Sequence, residues 1–351
     1  MSIRTWYCKF NHGLNKAAQE AEGKYFGTAT QNLSQRDSVY MSKLNDTSEF
    51  GQITPINAMK WPDTEPLRGQ FNFAAGDQIM LHARQNKQTL RCHTLIWGEA
   101  EAVPGWLKWG GYNREELTSI MDNHIKNLIL HFTDCYAWDV VNEALTDDGS
   151  YKSNIFFRAI GKEYVPMAFA MAAKYKKDVK LYYNDYTIQN SKTNGRKIEA
   201  VRQMIKDIQN YPGATIHGVG LQGHFDVSGG FAPTGSIVEA MTSFTSMGVE
   251  VALTEMQVWL ELPATRDAIG FQQLQYESAI AACRTVSRCV GITIWDYTDK
   301  YQDASYSHKV LGSSLPWDWQ LTRKEGMYRA ILGGWGACSR TNHQNWQPWS
   351  G

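Results

Sequence analysis

Tyr136-Ala-Trp-Asp-Val-Val-Asn-Glu143 is a short, mostly apolar run that ends on an acid. A run of this length and composition reads as a buried strand, and parallel barrels gather their catalytic groups at the carboxyl ends of such strands. Val249-Glu-Val-Ala-Leu-Thr-Glu255 repeats the pattern further along the chain. Two carboxylates meeting on one barrel rim can share acid, base and nucleophile work on an acetal bond. The competing reading is that each glutamate pairs with a rim arginine or lysine.

Working outward from these two runs, strand-like segments alternate with longer amphipathic ones along nearly the whole chain, the pattern of beta-alpha units around a parallel sheet. Eight strands are predicted: Tyr25 to Thr30, Gln52 to Ala58, Thr89 to Trp97, Tyr136 to Glu143, Val179 to Asp185, His217 to His224, Glu250 to Met256 and Gly291 to Tyr297. Helical periodicity falls between them over Asn113 to Phe132, Asn154 to Tyr175, Gly195 to Gln209, Ile237 to Met247 and Arg266 to Val286. Leu14 to Glu22 reads as an extra helix closing the bottom of the barrel. Eight units in one series predict an α/β fold, a (β/α)8 TIM barrel. The 351 residues would form this single catalytic domain, with no Ser/Pro-rich linker or low-complexity tail to mark a second module.

Composition narrows the function class. Lys plus Arg and Asp plus Glu are 35 each, and no basic run is suited to tracking phosphates, so nucleic acid is not an expected partner. No window approaches the roughly 18 unbroken apolar residues of a membrane helix, so no membrane partner is expected. Thirteen tryptophans and seventeen tyrosines offer ring faces suited to the C–H faces of sugars, as well as to a core. The six cysteines contain no Cys-x-x-Cys pair, which argues against zinc or redox chemistry. Cys283 and Cys289 are spaced to close a short loop between a helix end and a strand. Cys92 and Cys135 fall on neighbouring predicted strands, and Cys8 and Cys338 lie near the two termini. Met1-Ser-Ile-Arg has no apolar signal core, so an extracellular protein would have its signal peptide absent from this sequence. In a secreted protein Asn32-Leu-Ser34 and Asn45-Asp-Thr47 would be glycosylation acceptors.

Read to their carboxyl ends, the predicted strands deliver a polar and aromatic set to one rim. It comprises Asn57 and Lys60, His93 and Trp97, Asn142 and Glu143, Asn184 and Asp185, Gln222 and His224, Glu255, and Trp295. A purely structural distribution would spread such groups over both ends of the barrel.

Seven strings in order carry a more specific signal: Thr54-Pro-Ile-Asn-Ala-Met-Lys-Trp61, Gly69-Gln-Phe-Asn-Phe73, Arg91-Cys-His-Thr-Leu-Ile-Trp97, Trp138-Asp-Val-Val-Asn-Glu143, Tyr183-Asn-Asp-Tyr186, Gly220-Leu-Gln-Gly-His224 and Leu253-Thr-Glu255. Together they resemble glycoside hydrolase family 10, the barrel xylanases, a family that also includes tomatinases. The resemblance runs from about residue 13 to 335, and the Cys283/Cys289 loop is similar to the disulfide-bearing loop of fungal members. It implies a secreted, monomeric, retaining β-glycoside hydrolase with no cofactor, acting on an oligo- or polysaccharide or a glycosylated small molecule. By the same resemblance Glu143 is the acid/base, Glu255 the nucleophile, Asn142 the partner of the sugar 2-hydroxyl and His224 the partner of the nucleophile. Asn57, Lys60, His93 and Gln222 would be substrate ligands, with Trp97 and Trp295 as sugar-stacking walls.

Departures from the family pattern bear on the sugar. Ile56 stands where the family has a glutamate. Gly98-Glu-Ala-Glu-Ala-Val-Pro-Gly-Trp106 is two residues longer than the usual loop and lacks its glutamine, which puts Ala100 in the specificity-determining set. Gln257 replaces the usual aspartate after the nucleophile, and Tyr301-Gln-Asp-Ala-Ser-Tyr306 lacks the usual Ser-Trp, leaving Trp317 or Trp319 to substitute. These changes point from linear xylan toward a hexose-containing or branched glycone, with a tomatinase-type release of an oligosaccharide from a steroidal glycoalkaloid as the alternative. A metal-dependent barrel hydrolase using His93, Asp185 and His224, and a non-catalytic carbohydrate-binding protein, are the rival classes.

Overall fold

The computed structural model describes residues 5–8, 13–228, 230–302 and 311–341. Eight parallel strands form the barrel: β1 (Tyr25–Thr30), β2 (Gln52–Pro55), β3 (Thr89–Trp97), β4 (Cys135–Asn142), β5 (Lys180–Asp185), β6 (Gly218–Leu221), β7 (Glu250–Glu261) and β8 (Cys289–Ile294). Each pairs with the next, and β8 pairs with both β7 and β1, so the sheet closes on itself as a (β/α)8 TIM barrel. The long helices are Arg114–His131, Gly195–Gln209 and Arg266–Thr285. They follow their strands and bury one face against the sheet, as the 3.6-residue spacing of their apolar residues requires. Asn113 starts the first of these with a capping box, its side chain on the Glu116 N–H and the Glu116 carboxylate on its own N–H.

Leu14–Glu22 packs at the amino ends of the strands, as its sequence predicts. Asn15 Oδ1 accepts from the Phe26 N–H at 3.0 Å, and Asn15 Nδ2 donates to the Thr47 carbonyl at 2.9 Å. All three candidate disulfides are formed, Cys8–Cys338, Cys92–Cys135 and Cys283–Cys289. The first ties an antiparallel ribbon made of Thr5–Cys8 and Cys338–Thr341. None of the described helices is long and apolar enough to cross a membrane.

The barrel interior is partly polar, which explains why its strands are punctuated by glycine. Arg91, 1% exposed, pairs with Asp139 at 2.9 Å and lies over the Tyr182 ring at 4.4 Å, while Tyr182 Oη donates to Glu250 at 2.6 Å. A Cβ at Gly218 would stand 2.4 Å from the Tyr182 ring, and one at Gly220 would stand 2.2 Å from Asn184 Oδ1. Both positions must be glycine for these large side chains to fit inside.

Several element boundaries differ from the sequence reading, each for a local reason. β2 stops at Pro55, leaving Ile56 and Asn57 in a bend rather than a strand. The sixth run breaks at Gly223, whose φ of 79° turns the chain, and pairing resumes over His224–Asp226 opposite Gln257–Trp259. β7 therefore continues five residues past Met256, because the resumed segment pairs with its extension. The segment Asn154 to Tyr175 is two helices, Ile155–Ile160 and Tyr164–Tyr175, separated at Gly161 with φ 78°. Cys289–Ile294 starts and ends earlier than the predicted last strand.

Candidate active site

Glu143 follows the last residue of β4. Its φ of 54° lies in the left-handed region, a conformation that costs a non-glycine residue about 1 kcal/mol. The turn is held by two bonds to β5, from the Glu143 N–H to the Asn184 carbonyl at 2.9 Å and from the Ala144 N–H to Tyr183 Oη at 3.2 Å. The strand ends there, and Glu143 is turned into a cavity of about 580 Å³ on the carboxyl-terminal rim. Gln222 Nε2 and Asn142 Nδ2 donate to Glu143 Oε1 at 2.8 and 3.3 Å, while Trp97 Nε1 and Lys152 Nζ approach Oε2 at 3.3 and 3.4 Å.

Glu255 faces the same cavity from β7 and is buried. Its N–H donates to the Gln222 carbonyl at 2.8 Å, its Oε1 accepts from Asn184 Nδ2 at 2.7 Å, and its Oε2 lies 3.4 Å from His224 Nε2. Burial pushes this carboxyl up, but the His224 hydrogen bond, the nearby imidazoles of His93 and His224 and the Asn184 amide outweigh it. The net result is a carboxyl held below its ordinary range. Asn184 Nδ2 also reaches Asn142 Oδ1 at 2.9 Å, so two asparagine side chains link Glu143 to Glu255. Asn184 is oriented in turn by Thr254, whose hydroxyl donates to its Oδ1 at 2.6 Å.

The wall beside Glu255 is built on the buried Arg91–Asp139 pair. Asp139 Oδ2 holds His93 Nδ1 at 2.9 Å, fixing the imidazole 5.5 Å from the Trp295 ring and 6.2 Å from the Trp97 ring. Lys60 bonds Asn57 Oδ1 at 2.9 Å and lies 4.8 Å over Trp97. Burial lowers the Lys60 ammonium below its ordinary range despite the opposing charges of Glu255, Glu143 and Asp63.

The structure brings Glu143, Glu255, Asn142, His224, Asn57, Lys60, His93, Trp97, Gln222 and Trp295 to one cavity, together with Ile56 and Gln257. Gln257 Nε2 donates to the Trp295 carbonyl at 3.0 Å. Ala100 is a correction: it is exposed and does not line the cavity, because the longer loop points Glu99 and Glu101 inward instead. Trp317 and Trp319 are also corrections. Trp317 is buried against Phe50, Tyr297 and Tyr328, and Trp319 is exposed, so neither reaches the site. Of Tyr301 to Tyr306 only Tyr301 and Gln302 are among the described residues, and both line the cavity. The three candidate metal ligands are engaged elsewhere: His93 on Asp139, His224 on Glu255, and Asp185 in a fully buried pair with Lys197 at 2.9 Å.

Sequence reasoning missed Gln31, Lys152, Trp259 and Asp296, which also face the cavity. Trp259 was detectable, because alternation along β7 past Met256 keeps it in phase with Glu255 and Gln257. Lys152 and Gln31 carry no local signal, since each reaches the cavity through a loop.

This geometry has known counterparts. The sequence model of glycosyl hydrolase family 10 matches residues 13–333. The chain belongs to glycosyl hydrolase family 10. Endo-1,4-beta-xylanase D of Talaromyces funiculosus is 42% identical over 322 residues, covering 91% of this chain and 77% of the relative. The endo-1,4-beta-xylanase of Agaricus bisporus is 39% identical over 95% of this chain and 96% of its own length. Among solved structures, the GH10 xylanase of Bispora sp. MEY-1 with xylobiose superposes at a TM-score of 0.86. It is 38% identical and covers 92% of this chain and 99% of its own. This family 10 chain is thus a glycoside hydrolase, and the fungal relatives agree with the expectation raised by its Cys283–Cys289 loop.

Proposed function

We propose that this family 10 protein is a retaining endo-β-1,4-xylanase acting on polysaccharide by double displacement. The observation that carries the reading is the pair Glu143 and Glu255, delivered from β4 and β7 to one cavity and joined through Asn142 and Asn184. In the first displacement a Glu255 oxygen bonds the anomeric carbon. The carbon–oxygen bond to the leaving sugar breaks, and the Glu143 proton goes to the departing oxygen. In the second, water attacks the same carbon, its proton passes to Glu143, and the Glu255 carboxylate leaves with the electron pair. The His224 and Asn184 contacts keep Glu255 ionised for attack, as a nucleophile requires. Asn142 lies between the carboxylates, where it can bond the sugar 2-hydroxyl as positive charge builds on the ring. His93, Asn57 and Lys60 bind sugar hydroxyls, while Trp97 and Trp295 stack on the ring.

Three disulfides support an extracellular protein, since such bonds persist in oxidising compartments. A second reading rests on Ile56: an apolar branch lines the cavity beside Asn57 in place of a charged hydrogen-bond partner for the glycone, which with the rebuilt loops favours an altered glycone, such as that of a hexose-containing or tomatine-type glycoside.

Two experiments test these readings. Incubation with an activated 2-fluoro xylobioside should add the mass of one 2-fluoroxylobiosyl group to the wild type and nothing to Glu255→Gln; an adduct on the variant would falsify the assigned nucleophile. Initial rates on beechwood xylan, aryl cellobioside and alpha-tomatine separate the substrates. Fast xylan cleavage with no action on the other two removes the second reading.

A further inference from the structure

Lys152 is the one ammonium among the described residues that bonds the Glu143 carboxylate, and it is not committed to it. Its Nζ lies 3.4 Å from Glu143 Oε2 but 2.6 Å from Glu99 Oε1, with the Tyr186 ring at 4.9 Å. Lys152 comes from the loop after β4 and Glu99 from the lengthened loop after β3, so the segment that departs most from the family pattern supplies the competing carboxylate. The remaining charged or titratable groups around this pair are Lys60 after β2, Glu101 on the same loop as Glu99, Tyr164, Asp185 at the end of β5 with its partner Lys197, Tyr186 after β5, His224, and Glu255 on β7. Glu143 has two different needs. As an acid it must carry a proton, which a bonded ammonium opposes. As a base it is a carboxylate that has just lost the neighbouring charge of Glu255 to ester formation, and there an ammonium helps.

We infer that Glu99 and Lys152 are a positioning pair for the acid/base: Glu99 holds the ammonium off Glu143 during the first displacement, and Lys152 moves onto the Glu143 carboxylate during the second. The pair rests on the double-displacement reading above. Burial disfavours the Lys152 charge, but the Glu99 hydrogen bond and the charges of Glu143, Tyr186 and Glu99 more than compensate, so the side chain stays an ammonium throughout. The movement is a change of partner by a flexible four-carbon stem between oxygens it already touches.

The experiment compares leaving groups. In Glu99→Gln the ammonium is left to Glu143, so kcat/KM should fall about tenfold on phenyl xylobioside, which needs the acid, and several-fold less on 2,4-dinitrophenyl xylobioside, which does not. In Lys152→Met the second displacement should slow. Its kcat on the dinitrophenyl substrate should fall about tenfold while kcat/KM, which reports the first displacement, holds, whereas Lys152→Arg should retain most of the wild-type kcat. Equal losses on both leaving groups in Glu99→Gln, or a Lys152→Met that loses kcat/KM on the dinitrophenyl substrate as much as kcat, overturn the inference. Glu143→Ala serves as the reference. If azide rescues it to a β-glycosyl azide, double displacement stands whatever the pair does; if it is not rescued, the underlying mechanism is what failed.

Discussion

Replacing Asp296 by Asn should remove a loss of stability that the protein otherwise suffers as pH rises from the acid range to about 7. Asp296 follows Trp295 at the end of β8, 1% exposed, with φ 59°. Its Oδ1 accepts from the Tyr297 N–H at 2.6 Å and from Tyr40 Oη at 3.2 Å. Its Oδ2 has no protein partner, and among the described residues no lysine or arginine pairs with it. Burial pushes its carboxyl up to about 7 from an ordinary 3.8, against the smaller opposing effects of the Tyr297 and Thr298 N–H groups and the Tyr40 hydroxyl. A raised acid holds its proton in the folded state after the unfolded chain has released it. Stability therefore falls as pH rises from 3.8 to about 7 and is flat above. Between pH 5 and pH 8 the native state forfeits about 3 kcal/mol through this one group, at roughly 1.4 kcal/mol per pH unit. Asparagine keeps the shape, tolerates the left-handed backbone and cannot ionise. Guanidinium denaturation of both proteins at pH 5, 6, 7 and 8 measures the difference directly. The stability gap should open by about 3 kcal/mol in favour of the variant as pH rises. A gap that stays constant across the series refutes the argument, because every other titrating group is common to both proteins.

Three further outcomes follow from the same geometry. His224→Ala removes the donor 3.4 Å from Glu255, so the acid limb of kcat/KM should move to higher pH by up to about one unit; an unmoved limb would show that Asn184 and His93 suffice. Arg91→Met strands the buried Asp139 carboxylate and should cost about 3–5 kcal/mol in guanidinium denaturation, with part of the loss recovered in Arg91→Met/Asp139→Asn. Because stabilisation by a cross-link grows with the loop it closes, removing Cys8–Cys338, 330 residues apart, should lower Tm more than removing Cys283–Cys289, six apart. On the chain-entropy estimate the two are worth about 6 and about 2 kcal/mol, and the opposite ranking would refute the entropic account.

The barrel, the two glutamates and most of their ligands were legible in the sequence because they sit on strands. A strand end places its side chain by local periodicity, and when eight strands close, every carboxyl end arrives at the same rim. That is why the sequence places Glu143, Asn142, His93 and Glu255 in one site, and why the predicted Thr89–Trp97 strand matches the observed one at both ends. The loops obey no such rule. Ala100 was expected in the cavity and is outside it, Glu99 and Glu101 are inside, and Trp317 is buried core, because each depends on how a loop folds back over the rim. Tertiary closure alone decided that Lys152 would stand between Glu99 and Glu143, and that Asp296 would be buried with no cation beside it among the described residues. Both are consequences of segments far apart in the chain meeting in space, and a lysine or an aspartate in isolation carries no record of the neighbour it will meet.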